Sequence, residues 1–246
     1  GSGVVTVGAI LGMAAHLEGK GCSVLDVTGL AQKNGPVTSH VRIAEDPGAL
    51  HATRIAAGSA DLILGCDLVV TTSIENLRLA AAGTTTAILN SHVTPTADFA
   101  TNPDLDLSSE SMRNALRAAA GEQACSFVDA TRLASALMGD AILANPFLLG
   151  FAYQRGLLPV GLGALERALE LNGRAARANC DALAWGRLAA VDLDEVERAA
   201  GRGHEAGVLE TPSQDLQDVV ERRVEVLTRY QDASYAARYR DFVSQV

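Results

Sequence analysis

The chain has 246 residues, 48% hydrophobic and only 4% aromatic, with 20 Lys plus Arg against 29 Asp plus Glu for a net charge of −9. That length allows one large domain or two small ones, and the apolar content excludes a disordered chain. The acidic balance repels phosphate backbones and the few aromatics offer little for bases to stack on, so nucleic acid is excluded as the main partner.

Four cysteines, Cys22, Cys66, Cys125 and Cys180, lie tens of residues apart, with no CxxC or CxxxC pair. A zinc ribbon or an iron–sulfur cluster held within the chain is therefore disfavoured, and the thiols read as reduced and buried, as in a cytoplasmic protein. No secretory signal and no apolar run long enough for a membrane span is visible.

In chain order, Val4 to Lys20 reads as a helix, with Val5, Ile10, Leu11, Ala14 and Leu17 near one stripe and Gly19 and Gly21 stopping it. Cys22 to Val27 is a short buried strand, and 29–35 is a loop closed by Asn34-Gly35-Pro36. From Val37 to Ile43 the residues alternate: Val37, Ser39, Val41 and Ile43 share one face, Thr38, His40 and Arg42 the other. Asp61 to Cys66 predicts a strand, Asp67 to Ala82 a helix, and Thr85 to Asn90 a strand with a polar end. Ser108 caps a helix to Ala120, Ser126 to Val128 is a strand, Asp129 caps a helix to about Met138, and Pro146 opens a helix that Gly156 ends.

Beyond residue 160 the pattern turns helical and more charged, with helices near 163–188, 192–201 and 213–242. Leu216, Val220, Val224 and Leu227 form the stripe of the last helix. Its arginines, Arg222, Arg223, Arg229, Arg238 and Arg240, read as a solvated face, and Tyr230, Tyr235 and Tyr239 offer rings that can dock on another domain. The alternation of strands and helices predicts an α/β protein: a largely parallel sheet with helices on both faces, three layers in a Rossmann-like arrangement, followed by a C-terminal helical region. The expected divisions are an α/β domain over 1–160, a helical extension packing on it over 161–200, a linker over 201–212, and a C-terminal helix over 213–246 leading into a further helical region.

Three stretches can carry chemistry. Gly1-Ser2-Gly3-Val4-Val5-Thr6 is a GxGxxT at a helix start, where free N–H groups favour an anion, and Asp26 falls where a dinucleotide fold keeps its ribose-binding acid. The fingerprint is partial, since Thr6 replaces the third glycine; the alternative is a tight turn that lets the helix pack on the sheet. Gln32, Lys33 and Gly35, then Ser39, His40 and Arg42, gather polar and cationic groups between two strands, and Lys33, His40 and Arg42 suit phosphate or carboxylate oxygens. The alternative there is a solvated loop and a strand with one wet face. Asn90 to Thr96 sits at a strand end, in the position of a ligand crevice or of a turn with locally satisfied groups. Asp61 and Asp67 bracket a strand and read as cap and turn residues. No His or Cys lies at metal-ligand spacing from His40, and there is neither a GxSxG elbow nor a Walker lysine.

These strings carry a family likeness. GSGVVTVGAILGMAAHLEGKG followed by VLDVTGLAQKNGPVTSHVRIA resembles the gamma piece of 2-oxoacid:ferredoxin oxidoreductases, above all the long fused indolepyruvate ferredoxin oxidoreductases. ADLILGCDLVV, ILNSHVTPTADF, NPFLLGFAYQRGLLP and LERALELNG extend the likeness to about residue 190, and AQK-x-G-x-V-x-SHVR is its most specific element. The tail ERRVEVLTRYQDASYAARYR resembles the start of the helical region that follows the gamma domain in the fused enzymes.

The resemblance implies a component of an enzyme that oxidatively decarboxylates an aryl 2-oxoacid with coenzyme A, giving an acyl-CoA, carbon dioxide and reduced ferredoxin. Thiamine pyrophosphate with magnesium and [4Fe-4S] clusters are implied for the full enzyme on its other domains, none held by this segment alone. The implied partners are the thiamine-binding and ferredoxin-like domains of the same enzyme and ferredoxin as electron acceptor, in a cytoplasmic homodimer of the full assembly. Carried over by motif, Gly1, Gly3, Thr6, Gln32, Lys33, Gly35, Ser39, His40 and Arg42, with Asn90, mark a candidate phosphate, coenzyme A or thiamine-proximal crevice. The resemblance assigns none of them a catalytic role. Relatives carry a strand and a further glycine ahead of the position of Gly1, so the likeness also implies a piece of a larger polypeptide. Asn34 stands where many relatives have Gly, a change suited to a left-handed turn. Two other readings stay open: a stand-alone NAD(P)-binding Rossmann-type oxidoreductase, and a purely structural interaction domain.

Overall fold

Ser2–Leu17 forms helix α1, and its buried side is Val7, Ile10, Leu11, Ala14 and Ala15, an i, i+3, i+4, i+7 spacing. Leu17, expected on that stripe, is 46% exposed; the 3.6-residue period has carried the buried face past it. A computed structural model describes residues 2–28, 36–92, 109–173, 175–206, 220–221, 223–224, 227–228 and 232–243. Gly1, Gln32, Lys33, Gly35 and the Ser108 cap lie outside the described residues.

Strands β1 (Gly21–Thr28) and β2 (Val37–Ala44) pair antiparallel in a register running from Gly21 opposite Ala44 to Thr28 opposite Val37. This corrects the expectation of one largely parallel sheet. The reason is the connection: parallel neighbours need a crossover of about a dozen residues or more, and too few residues separate these two strands. Strands β3 (Leu62–Gly65), β4 (Thr86–Asn90) and β5 (Cys125–Val128) form the parallel sheet, in the order β3-β4-β5.

The helix expected over 67–82 is instead two short pieces, α2 (Leu68–Thr71) and α3 (Ile74–Leu77). Thr71 and Thr72 donate their hydroxyls to the carbonyls of Asp67 and Leu68 at 2.6 and 2.8 Å, and Ser73 is extended. Such back-bonding competes with a continuing helix. Asp67 caps α2, accepting from the Val70 N–H at 2.8 Å.

Helices α4 (Ser109–Ala120), α5 (Ala130–Met138) and α6 (Ala144–Gln154) follow. Asp129 caps α5 through the Arg132 N–H at 2.9 Å, and Pro146 sits in the first turn of α6. The single helix expected over 163–188 is two, α7 (Leu162–Leu171) and α8 (Ala176–Val191), parted where Asn172 precedes Gly173 at φ +74°. Helix α9 (Leu193–Ala206) runs through the first half of the expected linker, and α10 is Ala233–Val243. The chain divides into two units, Gly1–Gly203 and His204–Val246.

Alternation along β4 splits the core of the first unit. Ile88 packs with Val128, Leu133, Phe147 and Leu148 on one face, and Ala87 and Leu89 pack with Leu68 and Leu116 on the other. Helices thus flank the parallel sheet on both faces, with further helices at the C-terminal end, as the sequence predicts. A third cluster joins α1 to α6, α7 and α8 through Ile10, Leu149, Leu165 and Leu183. Helices α6 and α8 touch backbone to backbone. A Cβ at Gly150 would lie 2.0 Å from the Leu183 carbonyl oxygen, and one at Gly186 would lie 1.8 Å from that of Phe147.

Candidate functional site

In an open parallel sheet the ligand crevice lies at the carboxyl ends of the strands. Here that end presents Cys66 and Asp67 after β3, Asn90 to His92 around the end of β4, and Asp129 after β5. Asn90 is buried and every arm of its amide is spent. Its Nδ2 donates to Thr131 Oγ1 at 2.7 Å and to the Cys66 carbonyl at 3.4 Å, and its Oδ1 accepts from the N–H groups of His92 and Thr131. Asn90 therefore clamps β3, β4 and the start of α5 together. His92 Nδ1 lies 3.6 Å from Asp129 Oδ1. Burial pushes the Cys66 thiol up to about 12, so it stays protonated and is no nucleophile.

Two cavities adjoin this end. The smaller, 290 Å³, is bordered by Gly3, Val37 to His40, Leu62 to Leu64, Cys66, Asp67, Asn76 and Asn145. The larger, 480 Å³, is bordered by Val7, Gly8, Leu11, Val41 to Ala44, Asp61 and Leu157 to Pro159. Ser39 borders both. The predicted cluster is thereby divided: His40 lines the smaller cavity with the carboxyl end of β3, whereas Arg42 lines the larger one with Asp61, ahead of β3. Among the described residues Arg42 has no ion pair.

His40 is 4% exposed, and its Nδ1 accepts the Ile55 N–H at 3.2 Å. The ring proton therefore sits on Nε2. Burial, then the charge of Arg54, holds its pKa below the usual 6.5, so the imidazole is neutral at pH 7. The strand face expected to be wet is covered by the segment carrying Ile55, while Thr38 Oγ1 lies 3.3 Å from Asn76 Oδ1. Ser39 Oγ donates to Asp26 Oδ1 directly across the hairpin. The carboxylate that the dinucleotide reading gives to a ribose is therefore held by a neighbouring strand. Gly3 is where α1 meets the first turn of α6: a Cβ there would lie 2.1 Å from Asn145 Nδ2. Thr6 is exposed. Sequence reasoning missed Asn76, Asn145 and Thr131, which no local pattern marks; Asp67 was visible as a cap.

Residues 1–189 match the profile of the pyruvate ferredoxin/flavodoxin oxidoreductase family. The chain belongs to that family. Residues 216–246 match a second family, DUF6537, whose function is unknown. Among solved structures, the fold is shared with pyruvate oxidoreductase subunit PORC from Thermotoga maritima, at 19% identity and a TM-score of 0.51, over 76% of this chain and 89% of that one. The gamma subunit of a keto/oxoacid ferredoxin oxidoreductase from Geobacter sulfurreducens PCA is similar at 15% identity and a TM-score of 0.49, over 78% of this chain and 94% of that one. No curated protein matches the chain.

Ferredoxin oxidoreductases of this family generally use thiamine pyrophosphate and iron–sulfur clusters. Among the described residues no three His, Cys, Asp or Glu side chains converge as a metal site, and all four cysteines are free thiols. That donor set does not fit a cluster, which takes about four thiolates at one point. Among the described residues no helix is long and apolar enough to cross a membrane.

Proposed function

We propose that this chain is the gamma-type component of a 2-oxoacid:ferredoxin oxidoreductase acting on indolepyruvate or a related aryl 2-oxoacid in the cytoplasm. The overall reaction converts the 2-oxoacid, coenzyme A and oxidised ferredoxin to an acyl-CoA, carbon dioxide and reduced ferredoxin. Thiamine pyrophosphate with magnesium and [4Fe-4S] clusters, borne by other domains of a homodimeric assembly, supply the decarboxylation and the electron path. The observation that carries this reading is the family match over residues 1–189, which contains the AQKNGPVTSHVR string. The second family at 216–246 is consistent with a fused, multidomain enzyme.

Within that enzyme the role of this chain is to shape the approach of coenzyme A. Gly3, at the start of α1, borders the smaller cavity; Gly1, Thr6, Gln32 and Lys33 are carried over from the motif, and Gln32 and Lys33 fall in the sequence between β1 and β2. A lysine there serves as a point charge for phosphate. Ser39, His40 and Asn90 hold that surface in shape through the contacts described above, and Arg42 borders the larger cavity.

The test is made on the native enzyme purified from its source. Iron and thiamine in the preparation, and ferredoxin reduction with indolepyruvate and coenzyme A faster than with pyruvate, support the reading. In the same enzyme, Lys33→Ala raises the KM for coenzyme A about tenfold at little change in kcat, the signature of lost ground-state binding. A native protein without iron, thiamine or a thiamine-bearing partner, and able to bind NAD, overturns the proposal. Unchanged kinetics in Lys33→Ala reduce the chain to an architectural piece.

A further inference from the structure

The overall reaction proposed above consumes a thiol and releases a proton. Coenzyme A enters as an S–H and leaves as a thioester, so its sulfur must give up that proton as the bond to the acyl carbon forms. The thiolate is the nucleophile, and a free thiol with a pKa of about 8.5, as for cysteine, is mostly protonated at pH 7. A base placed where the sulfur arrives removes that obstacle.

At the carboxyl end of the parallel sheet the other titratable groups named above are spent. Asp67 caps α2, and the Cys66 thiol stays protonated. His40, beside them, has given its Nδ1 to the Ile55 N–H. His92 is the exception: its side chain is 41% exposed, and among the described residues nothing bonds to its Nε2. Two backbone contacts set its place. The Ser91 N–H donates to the Val128 carbonyl at 2.9 Å, which carries the pairing of β4 with β5 one residue past β4. The His92 N–H donates to Asn90 Oδ1 at 3.3 Å. Together they bring the ring to Asp129, the residue after Val128, whose Oδ1 lies 3.6 Å from His92 Nδ1.

Asp129 is itself fixed. Its Oδ1 accepts the Arg132 N–H at 2.9 Å and its Oδ2 lies 3.9 Å from Arg132 Nε, while Arg132 pairs with Glu197 of α9. A carboxylate beside Nδ1 keeps the ring proton there and leaves the lone pair on Nε2. We propose that His92 is the base for the coenzyme A thiol, with Asp129 as its positioning residue. The inference rests on the reading that this chain shapes the approach of coenzyme A. The thiol S–H bond breaks and an N–H bond forms at His92 Nε2. The electron pair stays on sulfur and becomes the S–C bond of the acyl-CoA. The electrons of the oxidation leave to ferredoxin, and the exposed ring returns its proton to water.

His92→Gln in the native full-length enzyme tests this. At pH 7 its kcat/KM for coenzyme A should fall about a hundredfold. Its affinity for desulfo-coenzyme A, which has no thiol proton to lose, should stay within about twofold of the native value by calorimetry. The pH profile carries the signature. In the variant kcat/KM keeps rising about tenfold per pH unit toward the range of the thiol itself, whereas the native profile levels off first. Free imidazole should restore turnover to His92→Ala. Asp129→Asn keeps an oxygen for the Arg132 N–H and should lower kcat/KM about tenfold, again at unchanged desulfo-coenzyme A affinity. A coenzyme A-dependent enzyme in which His92→Gln retains the native rate and pH profile overturns the proposal alone. So does an equal loss of desulfo-coenzyme A affinity, which would make His92 a binding group. A native enzyme whose turnover does not require coenzyme A overturns the reading beneath the proposal as well.

Discussion

A buried histidine that accepts a backbone N–H is a base the fold keeps uncharged, and the pH dependence of stability follows in sign. The pKa of His40 in the folded chain lies below its ordinary value of 6.5, so its contribution is complete above pH 6.5 and is lost as pH falls from there through the lowered value. Urea unfolding between pH 7.5 and 5 should show a fall in stability that His40→Asn lacks, because asparagine offers an oxygen to the Ile55 N–H and takes up no proton. His40→Ala leaves that buried donor unpaired and should cost about 1–3 kcal/mol at pH 7.5. The sequence shows the alternation that puts His40 on one face of its strand. It does not show which face is deeper: Val37, Val41 and Ile43 look like the core side, yet His40 is the most buried residue of β2. The cover comes from the stretch around Ile55, whose position no local pattern states.

At the scale of elements, the caps and the central strands were legible because their causes are local. Asp67 and Asp129 precede their helices at the spacing that lets a carboxylate reach a free N–H, and each does so. Asn172-Gly173 is a helix stop visible in the sequence, and it parts α7 from α8 within the span expected as one helix. The crossing of α6 and α8 was not legible, since it depends on two glycines in separate helices whose partners are carbonyls on the other helix. Gly150→Ala and Gly186→Ala each force a methyl into a backbone oxygen and should cost about 3 kcal/mol or more in urea or thermal unfolding. The double variant should fall short of the sum, because the first methyl already parts the helices. Gly163→Ala, with nothing near its Cβ in α7, is the control and should be neutral or stabilising by up to about 1 kcal/mol.

For the whole molecule, the composition marked residue 160 as a division, yet the first unit continues to Gly203 and the family match to 189. Charge content rises where helices become amphipathic, and amphipathic helices cover a core as well as form one of their own. All three buried clusters of the described residues lie between Val7 and Ala200. A chain ending at Gly203 should therefore unfold cooperatively, with a midpoint within a few degrees of the 246-residue chain by calorimetry. A broad, non-cooperative transition would mean that 204–246 completes the first unit.

The paired glycines of α6 and α8 also bear on how such a module is inherited. Phe147 and Leu183 supply the oxygens that meet Gly186 and Gly150, so each helix carries both halves of the contact. A gene rearrangement that breaks the chain between residues 154 and 176 parts two helices that fit only each other, leaving on each a notch that no ordinary side chain fills. Fusion joints and subunit splits that preserve this contact therefore fall outside the span from Ala144 to Val191. Residues on the two helices should change together in its descendants, each glycine persisting only while the other does.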